Sequence, residues 1–208
     1  MGQLSSEGAM TMRDIWRLRI NSAGLLLVCV LLLTGTSSCC GVIFCVPPPD
    51  APCDIETLLV DETAFPPGWV QLDLPDPRGA PASFGVERTG VGFSTPTRGV
   101  AGQHVYRGFD ARAASRGFRD FMSDFSVREG ETEWTVPREL MFSSQVADQF
   151  RLGCSTRVAS GAQRCLFIGQ YGVYLVRFHT YMSADIMTYD DLEHILQDID
   201  SRMAECTS

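Results

Sequence analysis

The residues best suited to chemistry fall in one short stretch, Arg177-Phe178-His179-Thr180-Tyr181. Alternate side chains of an extended strand point to the same side. Arg177, His179 and Tyr181 therefore form a polar row of cation, imidazole and phenol, and such a row can close a ligand cleft at the end of a sheet. With a carboxylate in reach it could serve a hydrolase. The other histidines read as less promising: His104 as a polar strand residue after Gln103, and His194 as a solvated residue on the acidic face of a helix. No serine sits in a G-x-S-x-G turn, and no cysteine–histidine pair carries a family signature. Gly90-Val91-Gly92-Phe93 is too short for a dinucleotide loop and reads as a strand with a glycine bulge. Glu129, Glu131 and Glu133, ahead of Trp134, read as a solvated edge rather than as the converging carboxylates of a glycosidase. Asp185, Asp190 and Asp191 lack the oxygen spacing of a calcium loop, and the last two suit a helix N-terminus. The sequence thus offers no catalytic residue, no metal site and no cofactor, with Arg177, His179 and Tyr181 as the ligand-binding candidates.

The eight cysteines divide by position. Cys29 lies in an apolar run, Cys39, Cys40 and Cys45 follow it, and Cys53, Cys154, Cys165 and Cys206 belong to the remainder. Without a CxxC pair the last four are poor zinc ligands, whereas four cysteines in an oxidising compartment make two disulfides. A hairpin turning at Ala159-Ser160 sets Cys154 opposite Cys165 and Leu152 opposite Phe167, within bridging distance. Cys53 with Cys206 would then tie the start of the domain to its last helix.

Stepping along the chain from Cys53, strands are expected at 69–74 (after the turn Phe65-Pro66-Pro67-Gly68), 82–94, 100–109, 146–154, 164–169 and 173–181. Helices are expected at 111–125, with Ala114, Phe118, Phe121, Met122 and Phe125 on one face, and at 189–203. The second places Tyr189, Leu192, Ile195, Leu196, Ile199 and Met203 on one face, and Thr188 with Asp191 makes a capping-box-like start. Neighbouring strands without a helix between each pair predict an α+β domain, mainly an antiparallel sheet packed with two helices. A two-residue turn at Gln170-Tyr171 would pair Ile168 with Val173, Phe167 with Tyr174 and Cys165 with Val176. Phe167, Tyr174, Val176 and Phe178 would share one face, and Leu166, Ile168, Val173 and Leu175 the other. Both faces are apolar, which places this hairpin centrally, covered on both sides.

Ahead of the domain, Arg13, Arg17 and Arg19 precede the 11-residue apolar run 23–33, and small residues Thr34 to Ser38 lead to Cys39-Cys40. A basic start, a short apolar centre and a small-residue exit mark a secretory signal. With Ser37-Ser38-Cys39 at its end, this segment resembles a bacterial lipoprotein precursor. The resemblance implies cleavage before Cys39 and lipidation of that residue; Thr36 departs from the leucine usual in that place. It implies residues 1–38 as signal, 39–52 as a Cys/Pro-rich tether with Pro47-Pro48-Pro49 as a stiff spacer, and 53–208 as the exported domain. The uncharged stretch 23–46 is also long enough to remain as a signal anchor. Either way the membrane is met through an N-terminal lipid or helix, and the domain sits outside.

Composition narrows the function classes. The 208 residues are 45% hydrophobic, 10% aromatic and 20% charged, as in globular proteins. All 17 basic residues are arginine and asparagine occurs once, the usage of a GC-rich bacterial gene. Absence of lysine excludes a Walker A loop, a kinase nucleotide lysine and Schiff-base chemistry. The net charge of −8 argues against nucleic acid. Cleavage at Cys39 leaves 14 arginines against 23 acids, a net −9 that would be repelled by anionic headgroups. The expectation is a non-catalytic binding or adaptor lipoprotein of the cell envelope, its partner an unnamed protein or small molecule. The alternatives are a hydrolase using Arg177 and His179, and a single-pass signal-anchored protein.

Overall fold

Six antiparallel strands form one sheet in the computed structural model, which describes residues 53–72, 85–97 and 99–207. The expected signal, Cys39, the tether and the start of the second expected strand at 82–84 lie outside the described residues. The strands are β1 (Val70–Leu72), β2 (Gly85–Ser94), β3 (Val100–Gly108), β4 (Gln149–Thr156), β5 (Gln163–Tyr171) and β6 (Tyr174–Met182). Helix α1 (Ala111–Phe121) follows β3, and α2 (Tyr189–Thr207) follows β6. The order β1-β2-β3-β6-β5-β4 is two meanders joined by the β3–β6 pairing. This is the α+β architecture expected.

The helices cover opposite faces of the sheet, and their apolar stripes differ in length. α1 begins where Asp110 accepts a hydrogen bond from the Ala113 N–H at 2.6 Å, satisfying a free first-turn amide. It buries Ala113, Ala114, Gly117 and Phe118, and the following single turn Met122–Phe125 adds Phe125. Of these, Ala113, Phe118 and Phe125 meet Tyr106, Leu166, Ile168 and Leu175 in a small core. α2 starts on a reciprocal box: the Thr188 hydroxyl accepts from the Asp191 N–H, and the Asp191 carboxylate accepts from the Thr188 N–H. It buries Leu192, Ile195, Leu196, Ile199, Met203 and Cys206 and runs four residues past the expected end. Each such side chain contributes about 1.5–3 kcal/mol of apolar burial, so the larger core lies on this face, with Phe93, Phe167, Tyr174 and Phe178.

The segment ahead of β1 roofs the same core. Two single-turn helices, Ile55–Leu58 and Glu62–Ala64, are capped by Asp54 and Asp61. The fully buried Gln103 amide accepts from the Val60 N–H at 2.7 Å and donates to the Leu58 carbonyl at 3.1 Å. Arg202 of α2 donates to the Leu59 carbonyl, Asp61 and Asp198.

Both disulfides are formed as expected. Cys154 exchanges both its backbone hydrogen bonds with Thr135 on its outer side. Toward β5 it is therefore a non-hydrogen-bonded position, where antiparallel strands approach most closely. Its Cα lies 4.0 Å from that of Cys165, to which it is bridged. Leu152 faces Phe167, so the expected register of this hairpin holds. Cys53 and Cys206, 153 positions apart, close the domain with a Cα separation of 5.6 Å.

Three expectations need correction. The β5–β6 turn lies at Gly172-Val173, not at Gln170-Tyr171, so Ile168 faces Arg177 and Phe167 faces Phe178, and Cys165 faces Thr180. A tight hairpin needs positive φ in its turn, and Gly172 supplies it at 58°. The partner of Ile168 shifts by four residues, an even step that leaves the faces of the hairpin as expected. Gly90 and Gly92 lie in a regular ladder, and the irregularity of β2 falls between Gly85 and Glu87. Finally, β4 starts at Gln149 rather than 146, because the Ser144 hydroxyl holds the Val146 and Ala147 N–H groups in a turn.

Candidate functional site

The strand register turns the α1 side of the sheet into a grid. One line across it reads Gly90, His104, Arg177, Ile168 and Arg151. The next reads Gly92, Gly102, His179, Leu166 and Gly153. Arg177 and His179 are thus on one face, as the alternation predicts, and the fold brings His104 opposite Arg177 from the neighbouring strand. Tyr181 follows on the same face, 42% exposed and opposite Arg164.

The two imidazoles are laid down by glycines. A Cβ on Gly90 would lie 2.6 Å from His104 Nδ1, and one on Gly102 would lie 2.8 Å from His179 Cε1. The missing side chains are the space the rings occupy. The rings are parallel to within 6°, with centroids 6.4 Å apart. Both Nδ1 atoms are buried and have no hydrogen-bond partner. A buried N–H without an acceptor is costly, so each Nδ1 is the bare lone pair and each ring carries its proton on Nε2. His104 titrates at about 4, lowered by burial first and by Arg177 and Arg88 second. His179 also falls to about 4, through burial, then Arg177, His104 and Arg164, with Asp124 opposing. Both rings are neutral donors at pH 7.

Charge on this face is one-sided. Of the strand arginines and histidines, all but Arg107 point here: Arg88, His104, Arg151, Arg164, Arg177 and His179. The strands contribute no acid to it. Two acids reach in from connecting segments. Asp124 accepts from Arg177 Nε at 2.8 Å, and Glu131 lies 3.5 Å from Arg164 without hydrogen-bond geometry. Glu131 is therefore not the solvated edge expected of it, because Arg164 draws it in, whereas Glu129 and Glu133 are exposed. Arg164 also lies over the Trp134 ring at 4.9 Å, and Arg151 over Phe125 at 4.4 Å. Tyr181 and Arg164 line a 40 Å³ recess with Arg128 and Arg157.

Among the described residues no hydroxyl, thiol or carboxylate hydrogen-bonds to either imidazole, and the nearest acid is held by Arg177. A larger cleft of about 440 Å³ lies elsewhere, lined by Gln163, Met182, Ser183, Met187, Thr188 and Tyr189 among others. No charged side chain lines it, and Tyr189 and Thr188 already bond to Gln163 and Asp191. Sequence reasoning missed His104, Arg164 and Asp124. Nothing in the order of residues tells that β3 pairs with β6, which is what unites His104 with Arg177.

No known family profile matches the chain, and no curated protein is similar to it. Two solved structures are similar in chain course. One is the extracellular domain of PknH from Mycobacterium tuberculosis, at 11% identity and a TM-score of 0.47, over 73% of this chain and 95% of that one. The other is an uncharacterised protein of Mycobacterium smegmatis, an Rv0999 ortholog, at 10% identity and a TM-score of 0.37, over 73% and 98%.

Proposed function

We propose that the chain is an exported lipoprotein whose domain, 53–208, is a non-catalytic binding module tethered by lipidated Cys39 to the outer face of a membrane. The pair of disulfides carries the export part of this reading. Cys154–Cys165 and Cys53–Cys206 account for all four cysteines of the domain, and paired structural disulfides belong to oxidising compartments. The α1-side face supports binding over hydrolysis. Its imidazoles have neither a nucleophile to activate nor a carboxylate to orient them, while both stand beside the Arg177 guanidinium.

Non-reducing intact mass of the full chain expressed in a GC-rich bacterial host tests the export and anchoring. The expected species starts at Cys39, carries acyl mass, and is four protons lighter than its reduced form. A full-length mass without lipid overturns the lipoprotein reading in favour of a signal anchor. A mass unchanged by reduction overturns export itself.

A further inference from the structure

We propose that the α1-side face binds an oxyanion, a carboxylate or phosphate group held by His104, Arg177, His179 and Arg164. The inference rests on the reading of that face as a binding surface and names the class of its ligand. With Nδ1 buried and bare in both rings, Nε2–H is the donor each has left: His104 turns Nδ1 toward Gly90 and Nε2 away from it, while His179 lays its Cε1 edge on Gly102 with both nitrogens flanking. Arg177 spends its Nε on Asp124 and keeps its terminal nitrogens. Arg164 is ion-paired with Glu131 at 3.5 Å without a hydrogen bond, and its Nε and Nη2 are buried without a partner, which leaves Nη1 as its outward donor. Charge-assisted bonds from guanidinium to an oxyanion are the strong class of hydrogen bond, and their planar fork matches two oxygens at once. In a chain of net charge −8, a strand face with four arginines, against which only Asp124 and Glu131 reach in from connecting segments, concentrates positive potential where an anion would enter. The apolar part of such a ligand would find Val70, Leu72 and Val100 exposed on the same face.

The chain has three histidines, and His194, exposed on α2, is an internal reference for the other two. The experiment follows the three imidazole Cε1–H resonances of the full chain in detergent micelles at constant ionic strength. The probes are inorganic phosphate, benzoate and its uncharged counterpart benzamide. Phosphate or benzoate should move the His104 and His179 signals and leave His194 in place, while benzamide moves none. Whichever anion saturates first identifies the ligand as phosphate-bearing or carboxylic. In the variant with His104→Gln and His179→Gln, anion affinity read by calorimetry should fall at least tenfold. In the variant with Arg112→Gln, which removes an exposed charge on α1, it should not change. Equal response to benzoate and benzamide overturns the anion inference and leaves the binding face standing. An anion that binds without the two histidines overturns it as well. If no probe moves either resonance, both readings of the face fail.

Discussion

Lowering the pH should loosen this protein through two rings in particular. His104 and His179 titrate at about 4 in the fold and at 6.5 when unfolded. Between those values the unfolded chain binds more protons, so stability rises with pH there. The contribution is complete above pH 6.5 and is lost on descent toward 4. A displacement of this size is worth about 3 kcal/mol for a ring wholly out of water. Both rings keep an edge toward solvent, where screening removes roughly half of that. At pH 4.5 the pair should then cost the fold about 2.5 kcal/mol relative to pH 7.5. Carboxylates titrate in the same window, so the measurement is a difference. Urea unfolding midpoints of the parent are compared with those of the His104→Gln, His179→Gln chain at both pH values. The variant should match the parent to within about 1 kcal/mol at pH 7.5 and exceed it by about 2.5 at pH 4.5, a midpoint gain of roughly 1 M. Parallel loss of stability in the two chains would refute the reasoning, because the rings would then be no drier in the fold than out of it.

Other perturbations probe the frame around this face. Replacing Cys53 and Cys206 by alanine opens a loop of 153 positions and should cost about 5 kcal/mol, against about 3 for Cys154 and Cys165, 11 positions apart. Urea unfolding reads both, and a larger loss from the short loop contradicts the chain-entropy account. Gln103→Met strands the Val60 N–H and the Leu58 carbonyl in the core and should cost about 2–4 kcal/mol. Hydrogen exchange at Val60 should accelerate in step; a loss under 1 kcal/mol would mean that water replaces the amide. Gly90→Ala places a methyl 2.6 Å from His104 Nδ1 and should lift that ring off the sheet. Its titration, followed by NMR, should move from about 4 toward 6.5 while that of His179 changes less, and an unmoved His104 would show that the glycine does not set its position.

Period and turn chemistry made most of the fold legible in advance. The 3.6-residue stripe of Leu192, Ile195, Leu196, Ile199 and Met203 is the buried face of α2, and the Thr188–Asp191 box is its start. Cys154 faces Cys165 because a turn centred on Ala159-Ser160 leaves one register for that hairpin. The β5–β6 turn was harder to place, since Gly169 and Gly172 flank the same two residues, Gln170 and Tyr171, and both faces are apolar. Positive φ at Gly172 decides between them. The site was half legible. Alternation puts Arg177 and His179 on one face from within a single strand. Bringing in His104, Arg164 and Asp124 requires the β3–β6 and β5–β6 pairings and the turn after α1, which are long-range choices made by the whole sheet.

Stability alone does not account for histidine at positions 104 and 179. Along the same strands, Leu166, Ile168 and Leu175 pack under α1 with no unpaired polar atom on their side chains. On the same cross-strand lines Ile168 faces Arg177 and Leu166 faces His179, so the face passes from aliphatic on β5 to guanidinium and imidazole on β6. Each ring gives up a hydrogen bond at Nδ1, a loss on the order of 1–3 kcal/mol per buried unpaired group. Leucine is close to histidine in volume and has no such atom. The chain carrying His104→Leu and His179→Leu should therefore be more stable than the parent at pH 7.5, by about 2 kcal/mol, and should bind phosphate and benzoate at least tenfold more weakly. Sites kept for function are where local choices run against stability. A variant no more stable than its parent would mean that the rings earn their place by packing, and the face would lose its claim to be a site.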